Sequence, residues 1–223
     1  MKPYFEDEFV TLFHGDCLEV TGWLSADVLV TDPPYGIEAE SRKGSYRGAG
    51  SQLRKYNPIA NDNNTQARDE VLQAWGDKPA IVFGSWKMPR PEKTQHVLIW
   101  WKRGHAPGPT NAAFMSQHEE IYILGNGFRA SSPPMRSVIE TREPRSIEVA
   151  KIGHPTPKPI GMMETLIDRC PPGVIADPFA GSGATLLAAR NLGRKVIGVE
   201  IEEKYCELMA KRLSQQTFQF ELT

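Results

Sequence analysis

The sequence predicts an α/β fold built on a doubly wound, mostly parallel sheet of seven strands, one of them antiparallel. Short apolar runs typical of buried strands alternate with helical stretches along the chain. Two of these runs end in Asp-Pro, at Asp32 and at Asp177. At 223 residues, the chain has the length of a single α/β domain with a sizeable core.

The elements follow from the pattern of apolar residues. We predict strands at residues 10–13, 28–31, 80–84, 96–101, 120–124, 174–177 and 195–200. We predict a short helix within residues 18–24, longer helices at 65–75, 160–170 and 202–213, and one after Gly183 that Gly193 ends. Because residues 105–118 leave no room for a crossover helix, the fourth and fifth strands are expected to pair antiparallel.

Composition excludes several classes of protein. No apolar run reaches membrane-spanning length, and the N-terminus has no signal-peptide pattern. Cys17, Cys170 and Cys206 are scattered, which indicates neither a disulfide framework nor a zinc site. We therefore expect a cytoplasmic protein with no membrane segment and no metal.

Charge is distributed unevenly, although the net charge is only −1. Acidic residues dominate positions 1–32, and basic residues outnumber acidic ones in 33–58, 86–105 and 129–151. These basic stretches lie mainly in the predicted loops after strands, where they could meet a phosphate backbone. On composition alone, an ordinary solvated surface explains them equally well.

A stiff turn follows the predicted strand at 28–31, with the sequence Asp32-Pro33-Pro34-Tyr35. Proline fixes its own φ and keeps the preceding residue out of the helical region, so Asp32 and Tyr35 are held on extended backbone. Open α/β sheets bind ligands at such strand ends. The Asp32 carboxylate and the Pro33 carbonyl can accept hydrogen bonds from an amino group while Tyr35 stacks on a planar ring. The alternative is an ordinary turn with a surface aspartate.

The second Asp-Pro turn leads into glycines 181 and 183, and a strand ending at Glu200 follows after about twenty residues, the spacing of a nucleoside-binding unit. The third glycine of a dinucleotide fingerprint would fall on Leu186. The sequence therefore predicts a nucleoside ligand without a pyrophosphate, and a nicotinamide cofactor does not fit.

Three motifs together resemble those of the DNA amino-methyltransferases, which methylate exocyclic nitrogens of DNA bases. Residues 32–35 resemble the D-P-P-Y catalytic motif, and 177–183 resemble the donor-binding motif. Residues 154–159 resemble the H-P-T-Q-K-P element, with Pro157 where glutamine is common. Their order is that of the beta class, a circular permutation of the usual S-adenosylmethionine-dependent methyltransferase fold.

The resemblance implies one methyltransferase domain over residues 1–223, with a catalytic half at 1–125, a short target-recognition segment at 126–153 and a donor-binding half at 154–223. It implies S-adenosylmethionine as the methyl donor, and catalysis by Asp32, Pro33, Pro34 and Tyr35. The implied donor-binding residues are Asp16, Cys17, Asp32, His154, Thr156, Lys158, Asp177, Phe179, Gly181, Ser182, Gly183, Glu200 and Ile201.

The implied macromolecular partner is double-stranded DNA. The candidate DNA-binding residues are Arg42, Lys43, Arg47, Arg54, Lys55, Lys102, Arg103, Arg129, Arg136, Arg142 and Arg145. Residues 41–57 combine glycine with basic and aromatic residues and are expected to form a lid that DNA orders. A monomer and a homodimer both remain open.

The resemblance favours the adenine N6 nitrogen as the target, because cytosine-specific relatives more often begin the motif with serine. Methylation of cytosine N4 is the alternative. A methyltransferase acting on RNA or on a protein glutamine is less favoured, because its relatives typically carry asparagine where Asp32 stands. A catalytically inactive DNA-binding module is disfavoured by the intact motifs.

Overall fold

The computed structural model describes residues 1–37, 64–103, 113–114, 117–142 and 157–220, and only the backbone of 142 and 216–220. Within these residues the chain forms a nine-stranded sheet. In chain order the strands are β1 Phe5–Glu6, β2 Val10–His14, β3 Val28–Thr31, β4 Ala80–Gly84, β5 Thr94–Arg103, β6 His118–Leu124, β7 Val138–Arg142, β8 Ile175–Asp177 and β9 Val196–Glu200. Their spatial order is β1-β2-β9-β8-β3-β4-β6-β5-β7.

Helices cover both faces of this sheet. They are a 3₁₀ helix at Thr21–Ser25, then α1 Gln66–Trp75, α2 Ile160–Ile167, α3 Ala184–Asn191 and α4 Glu203–Phe220. One face packs against α2, α3 and α4, through buried residues such as Met163, Leu187 and Met209. The other face packs against the 3₁₀ helix and α1, where Trp23 and Trp75 stack with ring centroids 5.8 Å apart. Among the described helices, none is long and apolar enough to cross a membrane.

All seven predicted strands are present, and the fourth and fifth of them, now β5 and β6, pair antiparallel as expected. The expected strand count was wrong, because β1 and β7 add a strand at each edge of the sheet. The two-residue β1 is too short to show a period, and it pairs antiparallel with β2. The sequence of β7 mixes apolar and charged residues because it is an edge strand, paired only with β5. Antiparallel strands therefore number two, β1 and β6, rather than one.

The centre of the sheet brings the two halves of the chain together. Strand β8 lies between β9 and β3 and runs parallel to both. The strand order reverses at this point, since β9 and β2 extend to one side while β3 and β4 extend to the other. A doubly wound sheet opens a crevice at such a reversal, outside the carboxyl ends of its strands. Both Asp-Pro turns leave the sheet there.

Candidate active site

The turn after β3 is held in place on both sides. Pro33 is buried, and Asp32 and Tyr35 are half-buried. Gly36 adopts a φ of +73°, and a Cβ at this position would lie 2.4 Å from the backbone carbon of Asn64. Only glycine fits both the positive φ and this close approach. Gly36 and the backbone of Asn64 therefore pack directly against each other.

Asp32 accepts hydrogen bonds from two side chains in the crevice. The Tyr35 hydroxyl lies 2.8 Å from Asp32 Oδ1, and Lys158 Nζ lies 2.7 Å from Asp32 Oδ2. Lys158 Nζ also lies 3.1 Å from the Tyr35 hydroxyl. The catalytic and donor-binding halves proposed from the sequence thus meet at one carboxylate. The sequence assigned Lys158 to the donor, and its ammonium group contacts the acceptor turn.

A second carboxylate, Glu119 on β6, completes this cluster. Glu119 Oε2 lies 2.8 Å from the Tyr35 hydroxyl and 3.2 Å from Lys158 Nζ. Lys102 on β5 donates to the other oxygen of Glu119. Two carboxylates and two ammonium groups make the cluster neutral. Sequence reasoning missed Glu119, because it lies between His118 and Glu120 in the polar first part of β6, and only the fold shows which of the two glutamates faces the site.

Aromatic rings surround the Lys158 ammonium group. Its nitrogen lies 5.2 to 5.5 Å from the ring centroids of Phe83, Trp100 and Tyr35. Cations are attracted to aromatic faces at such distances. Lys158 is therefore held in a buried site by charge on one side and by rings on the other.

The cluster shifts the pKa values of its members in opposite directions. Burial would raise the pKa of Glu119, but Lys158 and Lys102 lower it to about 2. Burial raises the pKa of Asp32, and Lys158 only partly opposes this. Burial and the two carboxylates raise the pKa of Tyr35 well above its usual value. At neutral pH, Glu119 is an anion and Tyr35 a neutral phenol.

The glycine turn after β8 forms the second part of the crevice. Gly181 and Gly183 adopt positive φ values of 51° and 81°. A Cβ on Gly183 would lie 2.7 Å from Met209 Cγ, so α4 packs directly on the turn. Arg212, also on α4, donates to the carbonyl oxygen of Ser182. The turn is thereby fixed before any ligand binds.

Glu200 faces this turn from the end of β9. Its carboxylate accepts hydrogen bonds from the backbone N–H groups of Gly181 and Glu202, each at 2.8 Å. Burial raises the pKa of Glu200, and these two hydrogen bonds oppose the rise. Each carboxylate oxygen has a further lone pair, so Glu200 can also accept hydrogen bonds from a ligand diol. Ile201 is exposed beside it.

Asp16 and Cys17 follow β2, which lies beside β9. The Gly15 N–H donates to the Glu200 carbonyl oxygen at 2.9 Å, so the two strand ends meet. The Asp16 carboxylate accepts from the Leu18 N–H at 2.9 Å, and Cys17 is buried. The crevice thus gathers an acid after β2, an acid at the end of β9 and a glycine turn after β8. A nucleoside with a free diol fits this set of groups.

Asp177 links the two halves of the crevice. Its Oδ1 accepts a hydrogen bond from the Thr31 hydroxyl at 2.7 Å and one from the Phe179 N–H at 3.2 Å. Thr31 and Asp177 are the last residues of β3 and β8. Asp177 is buried, and its hydrogen bonds join the two turns. Burial raises the pKa of Asp177 to about 6.

We expect Asp177→Asn to stabilise the protein above about pH 6. Because the pKa of Asp177 in the fold is about 6, against about 3.9 for an exposed aspartate, the fold favours its protonated form. In the wild type, protonated Asp177 therefore contributes to the stability of the fold below about pH 4. This contribution is lost as the pH rises through about 6, and the loss is about 2–3 kcal/mol. Urea unfolding at about pH 5 and about pH 8 measures the difference.

The exposed Asp77→Asn is the control for this change, because Asp77 lies on the surface in an ion pair with Lys93. Its stability should follow that of the wild type at both pH values. If Asp177→Asn showed the same pH dependence as the wild type, Asp177 would not be the residue that weakens the fold at high pH.

Several predicted site residues lie outside the described part of the chain. They are Arg42, Lys43, Arg47, Arg54, Lys55, Arg145, His154 and Thr156, together with the lid at 41–57 and the side chain of Arg142. Of the other predicted DNA-binding residues, Arg136 is exposed, and Arg103 and Arg129 form surface ion pairs. The side chain of Lys102 is only 16% exposed and its ammonium group lies on Glu119, so its charge is directed into the site and not outward.

The described cysteines are not nucleophiles. Burial raises the pKa values of Cys17, Cys170 and Cys206 to about 12, so they are neutral thiols. No three His, Cys, Asp or Glu side chains group to hold a metal ion within the described ranges.

Comparison with known proteins assigns the family. The sequence model of a family described as DNA methylase, for N6 and N4 methyltransferases, matches residues 26–212. The Type II methyltransferase M.ScaI of Streptomyces caespitosus is 27% identical, with 96% of this chain and 84% of that protein covered. The fold resembles the crystal structure of the M1.HpyAVI-SAM complex, with a TM-score of 0.63, 19% identity, and 91% and 99% of the two chains covered. It equally resembles the cytosine-N4-specific PvuII DNA methyltransferase, with a TM-score of 0.64, 16% identity, and 94% and 88% covered. This chain belongs to the N6/N4 family of DNA methylases.

Proposed function

We propose that this enzyme transfers a methyl group from S-adenosylmethionine to the exocyclic N6 nitrogen of adenine in DNA. The observation that carries the proposal is the hydrogen bond of 2.7 Å between Thr31 and Asp177. It joins the ends of β3 and β8, so the amino-accepting turn and the nucleoside-binding turn share one crevice. A donor and an acceptor bound there would lie side by side, and such positioning is the main contribution an enzyme can make to a direct transfer.

On the acceptor side, the target base must leave the DNA duplex, which costs a few kcal/mol. Stacking on the Tyr35 ring would return about 1–3 kcal/mol. The Asp32 carboxylate and the Pro33 carbonyl would accept hydrogen bonds from the amino group. These two acceptors bias the nitrogen towards tetrahedral geometry and free its lone pair, which is otherwise delocalised into the ring.

On the donor side, Glu200 would bind the ribose hydroxyls and Asp16 the adenine amino group. The glycines at 181 and 183 let the backbone approach the nucleoside. Phe179, half-buried beside the turn, borders the same space. S-adenosylmethionine supplies an electrophilic methyl group on a sulfonium ion. His154 and Thr156 remain our candidates for its carboxylate, whereas the Lys158 ammonium lies on Asp32 and Glu119 of the acceptor side.

The choice of adenine rests on Asp32, since cytosine-specific relatives more often have serine there. The fold does not separate the two bases, because a cytosine-N4-specific enzyme has a similar TM-score. A tritiated-methyl assay on DNA, RNA and protein, followed by nucleoside analysis, tests the proposal. We expect label in DNA as N6-methyladenine. N4-methylcytosine alone would reverse the choice of base, and label only in RNA or protein would overturn the proposal.

We expect a short recognition sequence of about two to four base pairs, or near-indifference beyond the adenine and its neighbour, because one well-placed side chain reads roughly one base pair. The proposed recognition segment, 126–153, contains the edge strand β7 and few apolar residues that could support more readers. Arginines 129, 136, 142 and 145 are the candidates, and some must contact phosphates, which position the protein without specifying sequence. Sequencing of methylated genomic DNA measures the motif. A strict motif of about six or more base pairs would contradict this expectation.

A further inference from the structure

Glu119 reaches the acceptor turn from the start of β6, an inner strand that lies between β4 and β5. In the ladder between β5 and β6 it lies opposite Trp100, and its neighbour Ile121 pairs with Phe83 on β4. Side chains alternate along a strand, so Glu119 shares a face with Ile121, while Glu120 shares the opposite face with Tyr122. A carboxylate on a strand is held more rigidly than one on a loop.

The carboxylate is also enclosed. Its side chain is 15% exposed, and it contacts two ammonium groups and a hydroxyl. A buried charge is tolerated only when such partners surround it. Two carboxylates cannot hydrogen-bond to each other, so Glu119 acts on Asp32 through its charge and through the donors that the two carboxylates share.

Those shared partners are Tyr35 and Lys158. The Tyr35 hydroxyl is 2.8 Å from both carboxylates, but it has one proton and donates to one of them at a time. Lys158 Nζ is 2.7 Å from Asp32 and 3.2 Å from Glu119. The Tyr35 hydroxyl and the Lys158 ammonium, which hydrogen-bond to Asp32 in this structure, therefore each have Glu119 as a second acceptor within reach.

We propose that Glu119 is a positioning residue for methyl transfer: it accepts the Tyr35 hydroxyl and the Lys158 ammonium when the amino group of the target base binds to Asp32. The inference rests on the proposed function. Without Glu119, both donors would stay on Asp32 and compete with the base, or would be left unpaired in a buried site when the base displaced them. With Glu119, the lone pairs of Asp32 become available while every buried charge remains paired.

The test is Glu119→Gln, which keeps the shape of the side chain and removes its charge. Because the step affected follows DNA binding, we expect kcat to fall by about 10- to 100-fold, with little change in the KM for DNA or in donor affinity measured by calorimetry. The Glu119→Asp variant retains the charge and should recover part of the loss.

The pH profile of kcat separates this role from a structural one. The groups facing Asp32 are Tyr35, Lys158, Glu119 and Asp177, with Lys102 behind Glu119. The charge of Glu119 raises the pKa of Asp32. In Glu119→Gln, Lys158 faces Asp32 without a competing anion, so the acid limb of the profile should move to lower pH. A folding defect would lower kcat at every pH and leave the limb where it is.

The matched control is Glu120→Gln, the next residue on β6. The side chain of Glu120 is even more buried than that of Glu119, and it pairs with Arg90 at 2.6 Å and with the Tyr122 hydroxyl at 2.9 Å on the other face of the sheet. We expect this variant to keep the wild-type kcat and acid limb. Suppose that the wild type methylates DNA. If Glu119→Gln then leaves the pH profile unchanged, or if Glu120→Gln changes it in the same way, this inference is overturned and the proposed function still stands. A wild type that methylates no DNA would overturn the proposed function, and this inference with it.

Discussion

Asp32→Ala should lower the single-turnover rate of methyl transfer by about 10²- to 10³-fold, the cost of removing one group that stabilises a transition state. Asp32 follows β3, and in the proposed function its carboxylate accepts a hydrogen bond from the target amino group. Its replacement also leaves Glu119, at 3.2 Å, as the one carboxylate that Lys158 contacts among the described residues, together with the Tyr35 hydroxyl. Donor affinity should survive, because the glycine turn and Glu200 are unchanged.

The measurement is single-turnover transfer from tritiated S-adenosylmethionine to DNA, with calorimetry of donor binding on the same preparation. Asp77→Ala serves as the control, because Asp77 is exposed and pairs only with Lys93 in a surface ion pair. Surface pairs contribute little to stability, so this variant should behave as the wild type. Near-wild-type transfer by Asp32→Ala would show that the acceptor role lies elsewhere.

Glu200→Ala should weaken the binding of S-adenosylmethionine. Hydrogen bonds to a charged group contribute about 1.5–3 kcal/mol, so the dissociation constant should rise by about 10- to 100-fold. The change also removes the acceptor of the Gly181 N–H, which now lies 2.8 Å from the carboxylate. The turn therefore loses part of its support together with the ribose contact.

Calorimetric titration with S-adenosylmethionine measures this effect, and thermal unfolding without the donor shows how much of it is structural. Glu202→Ala is the matched control. Its backbone N–H still donates to Glu200, whereas its side chain forms an ion pair with Lys204. Unchanged donor affinity in Glu200→Ala would show that Glu200 only braces the turn and does not bind the ribose.

The sequence by itself determined the seven inner strands and the two Asp-Pro turns. These features are local: a buried strand is a continuous apolar run, and proline and glycine restrict or free the backbone wherever they occur. The antiparallel pairing of β5 with β6 also followed from the sequence, because the connection between them is too short for a crossover. The edge strands β1 and β7 escaped prediction, since one is too short to show a period and the other is half polar.

Only the tertiary structure decided which side chains share the acceptor turn. Glu119 lies 84 residues from Tyr35 in the chain, and Lys158 lies 123 residues from it. Their meeting depends on the register between β6 and its neighbours, and a shift by one residue would exchange Glu119 with Glu120 on the two faces of the sheet. Glu119 and Glu120 are the same residue type at consecutive positions, so the sequence does not distinguish them. The alternation of the strand sends one to the catalytic turn and the other to Arg90.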